Sequence, residues 1–305
     1  MPSSEHPGAV ELARRFGQPD VVFTASGSAA LEVAFEVLGV GAGDEVVVPD
    51  LGCPSIAAAV VRRGAVPVFV GVGPALTLSP DDVAAALSAR TRAVVAAHHY
   101  GLPCDVRGIV DTLPPGITVI EDVAQTWGTL ARGRISGSVG TLAVTSFGSS
   151  KPVSLGGGGA LLGPPGVLRG AVSHGDVRDR RSPRPSSPAR LPVRLLDDLP
   201  AAIAAADRRL AARRAAVAAF LDSDLSAHFR LPPRPPDSSA GWTRVPLYPV
   251  GPGSAAQVPR LRRTLGGVQP MHPVPPSGLP MFQDFAKRVV RGPGRPADPF
   301  LVKIG

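Results

Sequence analysis

Aromatic residues make up only 5% of this 305-residue chain, and cysteine occurs just twice, at Cys53 and Cys104. Two cysteines without a Cys-x-x-Cys spacing supply neither a disulfide framework nor a thiolate metal cluster, so a reduced, cytoplasmic protein is expected. With so few aromatics the core must be built from Ala, Val, Leu and Ile, and a hydrophobic content of 44% is enough for a sizeable one. No apolar run is long enough to span a bilayer, and Met1–Glu11 lacks the apolar stretch of a signal peptide. There is no internal repeat. Net charge is +8, carried by arginines that begin at Arg169, continue through Arg178, Arg180, Arg181, Arg184, Arg190 and Arg194, and resume at Arg208, Arg209, Arg213 and Arg214. No aromatic stacking platform or nucleic-acid module accompanies them, which argues against nucleic acid. The charge reads instead as solubility, helix-face charge and contacts to an anionic substrate.

Between Val21 and Gly163 the pattern alternates. Short β-branched runs at Val21–Thr24, Glu45–Pro49, Pro67–Val72, Ala93–His98, Thr118–Glu121, Leu142–Ser146 and Ala160–Leu162 read as seven strands. Helical stretches at Ala29–Leu38, Ser55–Arg63, Ser79–Leu87 and Asp105–Thr112 separate them, the third opened by Ser79 with Asp82 as a partial capping box. Strands that are apolar throughout, rather than alternating, are buried on both faces, so the reading is a mainly parallel sheet between helices. Composition changes at Pro164, and residues 164–192 read as a Pro/Arg/Ser/Gly-rich connection. A long Ala/Arg/Leu helix follows over Leu195–Leu221, broken or started near Pro200, then a strand at Arg244–Tyr248 and a helix at Ala256–Leu265. The final 35 residues carry no clear pattern.

In open α/β sheets ligands sit beyond the carboxyl ends of the strands, and four features fall there. Ser26-Gly27-Ser28-Ala29 links a strand to a helix start, either a plain cap or an anion site. Asp122 ends an apolar strand, where a carboxylate serves as a helix cap, a metal ligand or the partner of a protonated ring nitrogen. Ser146 and Lys151 lie five apart in one loop after a strand, placed to direct a hydroxyl and an amine at the same ligand. Gly156-Gly157-Gly158-Gly159 lets backbone pass close to a ligand or another chain, and the strand behind it argues against a simple linker. Adjacent His98 and His99 have no third ligand in view, so no metal is expected.

Taken together, the segments TASGSAALEVAFEVLGVGAGDEVVVP, RRGAVPVFVGV, ARTRAVVAAHHYGLPCD, VIEDVAQTWG and SF-x-x-x-K with its glycine loop resemble the DegT/StrS-type family of pyridoxal-phosphate (PLP)-dependent sugar aminotransferases, in order and in spacing. Weaker similarity continues through Asp198–Ile203 and Trp242–Pro249. The resemblance implies a fold-type I PLP-dependent transferase: an α/β protein with a mainly parallel seven-stranded sheet and a small, shortened C-terminal domain, divided into a PLP-binding domain over 1–195 and a long helix plus reduced domain over 196–305. It also implies roles. Lys151 would hold the cofactor covalently and later shuttle a proton. Asp122 would bind the pyridine nitrogen, Gln125 the phenolic oxygen, and Ala124 would pack on one ring face. Backbone at Gly27, Ser28 and Ala29, with the Ser146 hydroxyl, would hold the phosphate. Related dehydratases carry His in place of the lysine, so Lys151 favours amino transfer. The implied reaction moves an amino group from an amino acid, glutamate in most of the family, to a keto-sugar expected to be nucleotide-linked, in sugar or natural-product biosynthesis, within a homodimer.

The chain also departs from that pattern. The family's ring-stacking aromatic falls on Cys53, and the asparagine that reaches a neighbouring subunit's phosphate falls on Val193, with Arg190 or Arg194 as substitutes. These departures leave room for a PLP enzyme of another reaction type on an amino-acid-like substrate, or for a non-catalytic partner subunit.

Overall fold

A computed structural model describes residues 6–169, 194–271, 274–284, 289–290 and 299–304 of the chain. Val193 and Arg190, singled out above, lie outside the described residues, as does most of the arginine-rich connection.

Helix α1 (Pro7–Arg15) starts on proline, with the His6 side chain accepting from the Gly8 N–H. Then come β1 (Asp20–Thr24), α2 (Gly27–Val37), β2 (Glu45–Pro49), α3 (Ser55–Arg62), β3 (Val66–Val70), α4 (Pro80–Ala86), β4 (Thr91–Ala97), α5 (Val106–Thr112) and β5 (Thr118–Asp122). Ser79 Oγ accepts from Asp82 as expected, Ser26 Oγ accepts from Ala29, and Asp105 caps α5 by accepting from Gly108. A small hairpin, β6 (Leu130–Ala131) and β7 (Arg134–Ile135), precedes β8 (Leu142–Ser146) and β9 (Gly159–Gly163). Short helices α6 (Pro165–Leu168) and α7 (Arg194–Asp197) flank the arginine-rich stretch, and α8 (Leu199–Leu221) follows a break at Asp198, beside the proline that cannot continue a helix. The chain closes with β10 (Phe229–Arg230), β11 (Val245–Pro249), α9 (Ser254–Leu265), β12 (Gly267–Pro270), β13 (Val289–Val290) and β14 (Phe300–Lys303).

All seven expected strands share one sheet, in the order β1-β9-β8-β5-β4-β2-β3, and β13 adds an eighth at the β3 edge. Strand β9 alone runs against its neighbours, pairing antiparallel with both β1 and β8. Every other strand, β1 included, therefore ends on one edge of the sheet. The interior strands are buried on both sides, β2 and β8 along their whole length, which is why they read as unbroken Val/Ala runs. Each such Val or Leu side chain contributes about 1.5–3 kcal/mol on burial.

Helix α2 is buried nearly all round because α3, β8 and β9 surround it. Its Glu32 meets Arg62 of α3 at 2.7 Å, a buried ion pair that fixes how the two helices cross. The last 35 residues, unassigned from sequence, supply one strand to each of two sheets. Strand β14, with β12 just before that segment, joins β10 and β11 in a four-stranded antiparallel sheet, while β13 pairs with β3 of the large one. The large sheet thus draws on both of the parts expected from sequence.

Candidate active site

The carboxyl edge of the sheet holds a cleft. Strand β5 delivers Asp122, which is in register with Ala97 of β4 and Val144 of β8. Asp122 Oδ1 accepts from the Ala124 N–H at 2.9 Å, fixing the carboxylate, while Oδ2 has no partner among the described residues. Gln125 Oε1 accepts from the Tyr100 N–H at 3.1 Å. Because a backbone N–H only donates, that bond fixes the amide orientation and leaves the Gln125 NH₂ free to donate into the cleft. Lys151 reaches the same space, half-buried, from the loop after β8.

The opposite wall is the start of α2. Gly27, Ser28 and Ser146 line it, and a methyl group on Gly27 would sit 2.7 Å from Ser146 Cβ. The Ser146 hydroxyl accepts from the Gly148 N–H at 3.4 Å, which leaves its proton to donate. Ala29 differs from its expected role. Its N–H is taken by Ser26 Oγ at 3.1 Å and it does not line the cleft, so the N–H groups left for an anion are those of Gly27 and Ser28. Ala124 lines the floor and Cys53 the rim. The expected site residues other than Ala29 therefore meet in one cleft.

The glycine run has a specific packing role. Gly158 N–H donates to Ala25 O at 3.1 Å, its carbonyl accepts from Phe147 at 2.9 Å, and Gly159 lies against the Ser26–Gly27 peptide. The run thus presses the anion loop onto the Lys151 loop.

Two features escaped the sequence reading. Glu121, pointing away from the cleft beside Asp122, is buried, as is His98. Its carboxylate accepts from His98 Nε2 at 3.0 Å and from the backbone N–H groups of Gly137, Val139 and Gly140 at 2.7, 2.8 and 2.6 Å. His98 Nδ1 accepts from the Cys104 N–H at 3.1 Å, so the ring proton sits on Nε2 and points at Glu121. Burial by itself would push the Glu121 carboxyl up. The bonds from His98, Gly140 and Gly137 outweigh it and hold the group below the ordinary value of 4.5. A depressed carboxylate stabilises the fold fully above its unfolded pKa and loses that contribution as pH falls through the folded one. Glu121→Gln is expected to cost about 3 kcal/mol at neutral pH, a gap that narrows below about pH 4; chemical denaturation of both proteins across pH checks this.

His99, second of the pair, is buried beneath Gly52. Its Nδ1–H donates to Leu76 O at 3.1 Å, leaving Nε2 buried without a hydrogen bond among the described residues. Burial pulls its pKa down, so the ring is neutral at ordinary pH. Among the described residues no group of three His, Cys, Asp or Glu side chains is placed to hold a metal ion, and no helix is long and apolar enough to cross a membrane.

The two cysteines contrast sharply. Cys53 is exposed, its thiol accepting from Ser55 Oγ at 3.1 Å, whereas burial pushes the Cys104 thiol up in pKa. Iodoacetamide should therefore modify the native protein once, at Cys53, and reach Cys104 only after denaturation; peptide mass spectrometry showing both labelled in the native state would contradict this placement.

Comparison with known proteins now decides the family. The profile of the DegT/DnrJ/EryC1/StrS aminotransferase family matches residues 9–173, more than half of the chain. The chain belongs to the DegT/DnrJ/EryC1/StrS aminotransferase family. The matched region contains the whole cleft described above but ends before the fainter similarity at Asp198–Ile203 and Trp242–Pro249. Among curated proteins, the L-glutamine:2-deoxy-scyllo-inosose aminotransferase of Streptomyces fradiae is 39% identical over 174 residues, 56% of this chain and 41% of that one. The UDP-N-acetyl-3-dehydro-α-D-glucosamine 3-aminotransferase of Acidithiobacillus ferrooxidans is 38% identical over 174 residues, 54% of this chain and 47% of that one. The chain thus matches less than half the length of these curated relatives. Among solved structures, that of S. venezuelae DesV in complex with a ketimine intermediate superposes with a TM-score of 0.78 at 27% identity, covering 98% of this chain and 83% of that one.

The residues present fit the PLP on which the family depends. The narrow cradle over Gly27, the N-terminal end of the eleven-residue α2, the free Asp122 oxygen and the Lys151 amine correspond to a phosphate, a ring nitrogen and an aldehyde.

Proposed function

We propose that this chain is a PLP-dependent aminotransferase that moves an amino group from glutamate or glutamine to a keto-sugar or keto-cyclitol, acting as a homodimer. The observation that carries the reading is the convergence of Lys151, Asp122 and Gln125 in one cleft, facing the N-terminus of α2. Family membership supports the reaction class, and the names of the relatives support the donor and acceptor. PLP, when bound, supplies an electron sink for the carbon that loses or gains the proton.

The chain's own groups then divide the work. With PLP bound, the free Asp122 oxygen would pair with the ring nitrogen and favour its protonated form. The Gln125 amide donates to the ring oxygen. The Gly27 and Ser28 N–H groups, the Ser146 hydroxyl and the helix end hold the phosphate. The Lys151 amine would hold the cofactor and would carry a proton between the substrate carbon and the cofactor carbon. Ala124 offers a flat, small surface to one ring face. Cys53 falls at the position where the family resemblance implies an aromatic ring, so the other face would be covered less fully.

The test is a half-reaction. Purified protein given PLP should be yellow, and adding glutamate or glutamine without acceptor should discharge the colour while releasing one equivalent of the corresponding keto acid. A yellow protein that neither amino acid discharges counts against amino transfer from these donors. A protein that takes up no PLP favours a non-catalytic role.

A further inference from the structure

A cavity of about 650 Å³ opens beside the cleft and shares Cys53, Gln125 and Lys151 with it. Besides Lys151, its charge comes from Arg209, Arg213, Arg244 and Lys303, while Leu51, Cys53 and Val274 give it an apolar wall. That wall is built from two distant parts of the chain, and one carboxylate joins them.

Asp50 follows directly on β2 and opens the loop that carries Leu51, Gly52 and Cys53. Its N–H donates to Val70 O at the end of β3 at 2.7 Å, so the sheet fixes where its side chain starts. Both carboxylate oxygens then accept from a single residue. Oδ1 takes the Ser277 N–H at 2.8 Å, and Oδ2 takes the Ser277 hydroxyl at 2.6 Å. Two charge-assisted bonds to one residue fix its orientation as well as its distance.

Ser277 lies in the tight turn Pro276–Gly278. Gly278 N–H donates to Pro275 O at 3.0 Å and Leu279 N–H to Pro276 O at 3.1 Å, and the two prolines restrict the backbone further. Val274 folds back onto this turn: a methyl group on Gly278 would lie 3.6 Å from Val274 Cγ1. Downstream, Phe282 is buried against Phe69, with ring centroids 5.7 Å apart. The core thus holds one end of the segment and Asp50 holds the turn. Val274 is left 56% exposed where it lines the cavity. Apolar lining is how ligand sites take up most of a ligand's area, and this valine borders the same space as Cys53 and Lys151.

We propose that Asp50 is a positioning residue: through Ser277 it holds Val274 over the cofactor face that Cys53 is too small to cover. The inference rests on reading the Lys151 cleft as the PLP site. The cover that an aromatic residue in the loop would supply comes instead from a segment more than 200 positions away, tied to that loop by the residue at its start. The clamp governs how well that face is shielded from water. It leaves the ring-nitrogen contact to Asp122 and the anchoring to Lys151.

Acrylamide quenching reads this cover. The PLP-loaded protein, reduced with borohydride, would carry a fluorescent phosphopyridoxyl group that the quencher reaches from its uncovered face. Val274→Ala and Asp50→Ala should each raise the quenching constant about 3-fold or more, since hydrogen bonds to a charged group weigh heavily in a closed–open balance. Asp50→Asn keeps an acceptor for the Ser277 N–H and offers its NH₂ to the hydroxyl, so it should quench as the parent does. In the Val274→Ala background, Asp50→Ala should add nothing, because Asp50 acts through Val274. Val250→Ala, a second exposed valine that lines neither space, should have no effect, and thermal melting should show every variant folded. Should Asp50→Ala fail to fold, Ser277→Ala takes its place in the same comparisons. The proposal is overturned if Val274→Ala quenches as the parent does, or if Asp50→Ala raises quenching equally with and without Val274. A protein that takes up no PLP would sink the reading of the cleft. A yellow, glutamate-responsive protein whose quenching ignores Val274→Ala would sink the cover alone.

Discussion

Replacing Lys151 with alanine is expected to abolish the visible absorbance of the PLP-loaded protein and to lower amino transfer by about 10³-fold or more, because the proposed function gives one side chain both the anchoring of the cofactor and the movement of the proton. The fold should survive. The Lys151 side chain is half-buried and has no hydrogen bond or ion pair among the described residues, so its removal should cost no more than about 0.5 kcal/mol. Lys151→Arg makes the stricter comparison. It keeps the charge but offers no free amine, and should be as colourless as the alanine variant. Wild-type activity in either variant would place the chemistry elsewhere.

A second large effect is expected at a residue that touches no substrate. Gly159 is in register with Thr24 and Ser146 at the start of β9, and a methyl group there would lie 2.5 Å from Gly27 N and from Ser26 C. Those are backbone atoms, so no side-chain rotation relieves the clash, and β9 must separate from the anion loop. Gly159→Ala should cost about 3 kcal/mol, the upper end of overpacking penalties, and lower Tm by roughly 5–10 °C. Since the displaced loop is the one proposed to hold the phosphate, PLP affinity should fall as well. Gly157→Ala is the matched control. A methyl group at Gly157 meets nothing within 4 Å, so the change should be nearly neutral. Equal behaviour of the two variants would contradict the packing described here.

These two glycines show where sequence reasoning stops. Four glycines in a row announce a close backbone approach, but only the fold shows that Gly159 makes it and Gly157 does not. Asp122 and Lys151 were legible because each terminates or follows a short apolar strand, and in a parallel sheet such ends gather on one edge. The His98–Glu121 pair was not, since it joins residues twenty-three apart through a hydrogen bond that no local pattern encodes. Sequence marked Arg209 and Arg213 as a charged helix face. That Arg244 and Lys303 converge on the same space depends on the C-terminal sheet, whose strands Gly267–Pro270 and Phe300–Lys303 are too short and too proline-flanked to declare themselves. Helix α1 was missed although Ala9, Leu12, Ala13 and Phe16, which form its buried face, recur at i, i+3, i+4 and i+7.

Borohydride reduction of the PLP-loaded protein, followed by proteolysis and peptide mass spectrometry, tests that central claim most directly. The account predicts a phosphopyridoxyl group on the peptide containing Lys151 and on no other peptide. A reduced protein with no labelled peptide, or with the label on a different lysine, would contradict it.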